Sequence, residues 1–264
     1  MEKVIIVTGG TSGIGLNTAR ILAEKGCRVY EFSRRDAGVW PGVTHVRADV
    51  MDEAQVNAAV GTVLEREGRI DVVINNAGFG ISGAAESTAS KDSHAQLELN
   101  LFGMDNVTRA VLPHMREQRS GRIVCMSSIA GILPIPFQLW YSVSKSAILA
   151  YVLALQNEIR PYGISVCAIM PGDIASGFTD ARVKSDALDG EYAGRIARSV
   201  AVMEHDERTG MKPEDAGRFV AKVALRKRSR PMIAMGFAYK AAAMAAKLLP
   251  RRFSNWLVGL IYAK

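Results

Sequence analysis

Tyr141 and Lys145 stand four residues apart in a segment that reads as a helix, so their side chains share one face. A free tyrosine titrates at about 10, and a nearby ammonium favours the phenolate, so the pair predicts a general acid or base usable near neutral pH. Ser128 lies at the end of an expected strand ahead of them, where its hydroxyl can hold a carbonyl oxygen; its neighbour Ser127 is the rival. Together these groups suit proton transfer to or from a carbonyl or alcohol oxygen.

A second chemical feature is the run Thr8-Gly9-Gly10-Thr11-Ser12-Gly13-Ile14-Gly15, between an apolar strand and an amphipathic helix. Glycines let the backbone turn through positive φ and approach a ligand closely, and the free N–H groups and dipole of a helix N-terminus favour an anion. That junction predicts a pyrophosphate site. After the second expected strand, dinucleotide-binding proteins that take NAD place an acid against the ribose 2′-hydroxyl. Here Ser33 takes that place, followed by Arg34 and Arg35, which can bond and balance a 2′-phosphate. The expectation is NADP(H) ahead of NAD(H), with Glu31 and Asp36 flanking the site.

The elements that must position these groups alternate. Residues 3–7, 28–32, 44–48, 71–74, 122–126 and 165–169 read as strands, and 14–25, 52–66, 93–118 and 140–160 as helices. Such alternation predicts an α/β, doubly wound parallel sheet of Rossmann type, covered on both faces. Gly9, Ser33, Asp49, Asn76, Ser128 and Pro171 each fall just past an expected strand, so all should converge at the carboxyl edge of the sheet, where ligands bind in such folds. After Pro171-Gly172 a polar stretch forms a substrate loop at about 173–211, and Pro213 opens another helix. The expectation is one domain over 1–212 with a basic helical extension of the same domain over 213–264.

The 264 residues are 48% hydrophobic and carry a formal charge of +7, which is ordinary for a globular chain. The charge is uneven: residues 212–264 hold 12 Lys and Arg against 2 Asp and Glu, leaving the remainder slightly acidic. No basic recognition helix is visible, so nucleic acid is not an expected partner. No run approaches the roughly 18 apolar residues of a membrane span, and the apolar start is too short for a signal-peptide core. Cys27, Cys125 and Cys167 are scattered in apolar runs and His45, His94, His114 and His205 lack ligand spacing, so buried thiols, no metal and a cytoplasmic protein are expected.

In register, these motifs resemble the short-chain dehydrogenase/reductase family: T-G-x-x-x-G-I-G, Asp49-Val50, Asn75-Asn76-Ala77-Gly78, Asn100, Ser127-Ser128, Tyr141-x-x-x-Lys145 and Pro171-Gly172. The resemblance implies an NAD(P)(H)-dependent oxidoreductase interconverting a ketone and a secondary alcohol. By the family's spacing Ser128 is the catalytic serine and Tyr141 gives the proton in reduction. Lys145 bonds the nicotinamide ribose, and Asn100 holds a water linking Lys145 to solvent. Asp49 and Val50 would meet the adenine, Asn76, Ala77 and Gly78 the adenosine. In Pro171-Gly172-Asp173-Ile174-Ala175-Ser176 the backbone near Ile174 and the Ser176 hydroxyl, in place of the usual threonine, would hold the carboxamide. The family also implies a homodimer or homotetramer. The alternative is a non-catalytic nucleotide sensor on the same fold, against which stand the intact Asn100, Ser128, Tyr141 and Lys145.

Ile132, Leu133, Ile135, Phe137 and Leu139 suggest a small apolar carbonyl or alcohol substrate, 3-oxoacyl, steroid or retinoid-like, although core packing explains part of this run equally well. Phe253, Trp256, Leu257, Leu260 and Ile261 share one side of a helix beyond Arg251-Arg252. That helix suits either peripheral contact with an anionic membrane, or cover for the cleft or a subunit interface.

Overall fold

The computed structural model describes residues 2–35, 40–185, 187–226 and 230–263. In chain order the elements are β1 (Val4–Thr8), α1 (Gly13–Glu24), β2 (Arg28–Ser33), β3 (Val43–Arg47), α2 (Glu53–Glu67), β4 (Val72–Asn75) and β5 (Ile81–Ser82). Next come α3 (Ser90–Leu97), a π-helical turn (Glu98–Phe102), α4 (Gly103–Glu117), β6 (Gly121–Met126), α5 (Leu139–Ile159) and β7 (Ile164–Met170). The chain ends with α6 (Phe178–Ala181), β8 (Val183–Lys184), α7 (Arg195–Thr209), α8 (Pro213–Ala224), β9 (Met232–Ala234), α9 (Phe237–Leu248) and α10 (Arg251–Tyr262).

Seven strands form one parallel sheet in the order β3-β2-β1-β4-β6-β7-β9. This is the doubly wound, Rossmann-like fold expected from the alternation. Successive side chains of a strand point to opposite faces, and β1 divides accordingly. Val4 and Ile6 join the apolar layer beneath α2, α4 and α5, whereas Ile5 and Val7 face α1 and α8. All four are buried, which is why the strand is apolar throughout rather than alternating. The order reverses between β1 and β4, and that switch point opens the crevice at the carboxyl edge.

Three differences from the sequence reading bear on the site. The expected continuous helix over 93–118 is interrupted by the π-helical turn, which carries Asn100. The polar stretch after Gly172 contains α7, whose polar composition hides a thin buried stripe of Ile196, Ser199 and Met203. Within 213–264, α8 and the unforeseen strand β9 are layers of the sheet domain. Gly217 of α8 lies so close to Asn17 and Thr18 of α1 that a Cβ there would meet backbone. Of the last two helices, α9 packs on β9 and on the core layer through Tyr239 and Ala243, and α10 rests on α7.

Candidate active site

The phosphate cradle follows from β1 ending at Thr8. Gly9 and Gly13 take φ of +65° and +53°, which L side chains rarely adopt. The first intrahelical bond of α1 is Leu16 N–H to Ser12 carbonyl, 3.1 Å, so the N–H groups of Gly13, Ile14 and Gly15 have no partner within the helix. The Ser12 hydroxyl caps none of them, and no acidic side chain occupies the first turn. A cavity of about 500 Å³ opens there, lined by Gly13, Asn17, Ser176, Gly177 and Arg208 among others. Unpartnered N–H groups, free hydroxyls and space fit a pyrophosphate.

The cradle is braced from two sides. Thr8 Oγ1 accepts the N–H groups of Asn76 and Ala77 at 3.0 Å each, and Asn76 Nδ2 donates to the carbonyls of Thr8 and Gly9 at 3.1 Å. Ala77 packs on Gly9, and Gly15 is held against the Gly9 carbonyl and Asn76. Asn76 and Ala77 therefore shape the glycine turn. From the other side, Glu31 accepts the Gly10 N–H at 2.9 Å. Its stem fills the space a Gly10 Cβ would need.

Glu31 is fully buried, and the sequence reading treated it only as a neighbour of the 2′-phosphate position. Its second oxygen meets Ser33 Oγ at 3.3 Å and His45 Nδ1 at 2.6 Å. An acid inside an apolar parallel strand is costly unless it is partnered, and that cost was the signal in the sequence. Ser33 Oγ is also 3.4 Å from the Arg35 carbonyl. Arg34 and Arg35 stand exposed at the mouth, with Arg34 Nη1 3.8 Å from Asp49 Oδ2. Asp49 also accepts the Met51 N–H at 3.0 Å. Val50 is buried against Gly103, and its carbonyl accepts from Asn106. Asp36 lies outside the described residues.

Tyr141 and Lys145 share one face of α5, with Lys145 Nζ 5.6 Å from the centre of the Tyr141 ring. Lys145 is buried and donates to the Met126 carbonyl at 2.8 Å. Burial brings its amine down to about 8. Burial also pushes the Tyr141 phenol up to about 12, outweighing the lowering by the Ser128 hydroxyl beside it. This differs from the expected Lys145-driven lowering: loss of water around the phenol is the largest influence, and the groups that pull the other way are the Ser128 hydroxyl and Arg182.

Ser128 Oγ accepts the Ala130 N–H at 3.1 Å and reaches the Pro171 carbonyl at 3.5 Å. Ser127 instead donates to the Lys145 backbone carbonyl at 2.7 Å, away from the phenol. Asn100 is buried in the π-helical turn, a local widening that recurs at functional sites. Its Oδ1 accepts the Phe79 N–H at 3.0 Å, and its Nδ2 donates to the Phe79 carbonyl and Ser144 Oγ at 3.1 Å each. It presses on Gly78, and Lys145 lies beyond.

The wall after β7 closes the site. The Pro171 carbonyl accepts the Ile129 N–H at 2.9 Å, Ile174 is buried, and Ser176 Oγ sits near Gly13. Gly172 is pressed by the Tyr239 ring of α9, whose hydroxyl bonds Asp173. Over the phenol stands Phe178, its ring centre 5.8 Å from that of Tyr141. Behind it, buried Arg182 pairs with Glu207, which also takes the Thr179 hydroxyl at 2.7 Å. Phe178, Arg182, Glu207 and Tyr239 escaped the sequence reading because their roles arise from contacts between segments distant in the chain. Phe137 packs edge-on to Tyr192 at 5.8 Å, and Ile132 joins the core layer, so the apolar run 132–139 divides between site wall and core. Among the described residues no cluster of His, Cys, Asp and Glu could hold a metal.

The model of the short chain dehydrogenase family matches residues 3–187. The chain is 40% identical over 227 residues to a 3-ketodihydrosphingosine reductase of Bacteroides thetaiotaomicron, covering 85% of this chain and 84% of that protein. Among solved structures it resembles a short chain dehydrogenase/reductase from Burkholderia phymatum in complex with NAD, with a TM-score of 0.79, 25% identity and 94% and 92% of the two chains covered. It also resembles a variant of the actinorhodin polyketide ketoreductase with NADPH, with a TM-score of 0.74, 28% identity and 89% and 95% covered. A cradle at the switch point, a Tyr–Lys pair on one helix face and a family model spanning most of the chain lead to one conclusion: this protein belongs to the short-chain dehydrogenase/reductase family of oxidoreductases.

Proposed function

We propose that the protein is an NADPH-preferring reductase of a ketone on a long-chain apolar substrate, with a 3-keto lipid as the favoured class. The observation that carries it is the placement of the Tyr141 phenol beside the Ser128 hydroxyl, with Lys145 on the same helix face and the apolar ring of Phe178 over it. Bound NADPH would supply the hydride that adds to the carbonyl carbon. Ser128 holds the carbonyl oxygen, and Tyr141 donates its phenolic proton to that oxygen as the C–H bond forms, giving the secondary alcohol. Lys145 stabilises the resulting phenolate and would bond the nicotinamide ribose of the bound cofactor. Asn100 fixes the Gly78–Phe79 wall beside Lys145, with acceptor capacity on Oδ1 for a water that returns the proton. The N–H groups of Gly13, Ile14 and Gly15, with Thr11 and Ser12, would hold the pyrophosphate. Ile174 and Ser176 would hold the carboxamide, and Asp49 and Val50 would meet the adenine. The 3-keto lipid is favoured by the 40% identity to the 3-ketodihydrosphingosine reductase of Bacteroides thetaiotaomicron.

NADPH oxidation measured with a long-chain 3-keto amino lipid, a 3-oxoacyl thioester and a short methyl ketone tests the substrate. The long-chain ketone should show the highest kcat/KM, and absence of turnover with every ketone would sink the reading.

The cofactor preference rests on Arg34 and Arg35. Charge-assisted hydrogen bonds contribute about 1.5–3 kcal/mol each. The double variant Arg34→Ala/Arg35→Ala should therefore raise KM for NADPH by roughly a hundredfold or more while leaving KM for NADH within about threefold. Equal changes for both cofactors would refute a 2′-phosphate contact. We also assign the enzyme to the cytoplasm as a dimer or tetramer through α4 and α5, where Val143 and Leu153, with Phe102 just before α4, are exposed.

A further inference from the structure

The helical pair α9–α10 leaves apolar faces in solvent that nothing in the ketone chemistry uses. On α9, Phe237, Ala241, Met244 and Leu248 recur at the spacing of one helix face, with Phe237 88% and Leu248 77% exposed. On α10, Val258 is buried and Tyr262 reaches Asp206 of α7, while Arg195 of α7 donates to the Ala263 carbonyl. That anchored side leaves Phe253, Trp256, Leu257, Leu260 and Ile261 outward, with the Phe253 and Trp256 rings stacked at 5.6 Å. A face of this size built from phenylalanine, tryptophan and leucine marks an interaction surface.

The charge on these helices selects the partner. Residues 237–263 contain Lys240, Lys247, Arg251 and Arg252 and no Asp or Glu. Among the described residues none of these four forms an ion pair with a carboxylate, whereas many cations of the sheet domain do. Arg251 and Arg252 open α10, where cations oppose the helix dipole, so helix stability does not explain them. A second copy of the same face would bring four cations against four. A bilayer with anionic headgroups instead takes the aromatic and aliphatic side chains into its interfacial region and neutralises the cations.

We infer that α9 and α10 form a peripheral docking surface for an anionic lipid bilayer. Both helices adjoin the walls of the cleft, α9 through Tyr239 on Gly172–Asp173 and α10 through α7, whose Glu207 holds Thr179 and Arg182 behind Phe178. Docking would therefore set the cleft beside the bilayer in which a long-chain ketone dissolves. Only that last step rests on the proposed substrate; binding to lipid requires no turnover.

The test is co-sedimentation of the full chain with phosphatidylcholine vesicles and with vesicles that also contain phosphatidylglycerol. The protein should partition onto the anionic vesicles about a hundredfold or more over the neutral ones, with release at high salt. Removing two cations in Arg251→Gln/Arg252→Gln should weaken partitioning by roughly 25-fold, at about fivefold per charge. Trp256→Glu/Leu260→Glu should abolish it, with both variants still reducing a water-soluble ketone at the unchanged rate. Equal binding to both vesicle types, equal binding by the variants, or a dimer that Trp256→Glu/Leu260→Glu dissociates without any vesicle binding would each overturn the inference. A chain inactive on every ketone that still binds anionic vesicles would remove the ketone reading and leave this one.

Discussion

Tyr141→Phe is expected to lower kcat/KM for ketone reduction by about a thousandfold, within the range of roughly 10²–10⁴ that a positioned general acid contributes. The ring that packs on Phe178 is retained and only the hydroxyl is removed, so the fold and the Kd for NADPH should hardly change. Because burial pushes the phenol up to about 12, the donor should stay protonated across the pH range of the measurement. The pH dependence should come from Lys145, buried and near 8. Below that value the ammonium is present to stabilise the phenolate, and above it the rate of reduction should decline. Steady-state rates from pH 6 to 10 check both statements, and a Tyr141→Phe enzyme with half the wild-type rate would exclude Tyr141 as the donor.

Lys145→Met should stop catalysis and stabilise the protein without cofactor. Lowering a lysine from 10.5 to about 8 means that folding takes an ammonium out of water at a cost of about 3 kcal/mol at pH 7. The sign is that of a base with a depressed pKa. The penalty is complete below the folded value near 8 and fades as pH rises toward the unfolded value, because the unfolded chain then holds a proton that the folded chain has released. Methionine avoids the penalty but leaves the Met126 carbonyl without its donor, which returns about 1–3 kcal/mol. The advantage of the variant over wild type should therefore be about 0–2 kcal/mol at pH 7 and fall by about 2 kcal/mol by pH 10, where wild type becomes the more stable of the two. Urea denaturation at the two pH values reads this out. A variant whose difference from wild type does not change with pH would show that Lys145 is not desolvated.

Local chemistry made part of this protein legible in its sequence. A glycine turn between a strand and a helix, a tyrosine and lysine one helical turn apart, and apolar strands alternating with helices are short-range patterns. Backbone sterics, helix spacing and burial on both faces of a parallel sheet act within a few residues of each other. From them followed the sheet, its carboxyl edge and the positions of Gly9, Ser128, Tyr141, Lys145 and Pro171. Other features arise only when distant segments meet. Glu31 is an odd acid in a strand until β1 brings the Gly10 N–H to it and β3 brings His45. Asn100 sits in a helix-like sequence, and the π-helical turn that aims it at Phe79 has no signature of its own. Ser127 and Ser128 are told apart in the sequence only by the family's spacing, and α5 supplies the physical reason by giving Ser127 the Lys145 carbonyl. Phe178 over the phenol, Tyr239 against Gly172 and the side of α10 left open by α7 depend on packing between segments tens of residues apart. Contacts of that kind are set by which surfaces the folded layers leave uncovered, and that is decided only in three dimensions.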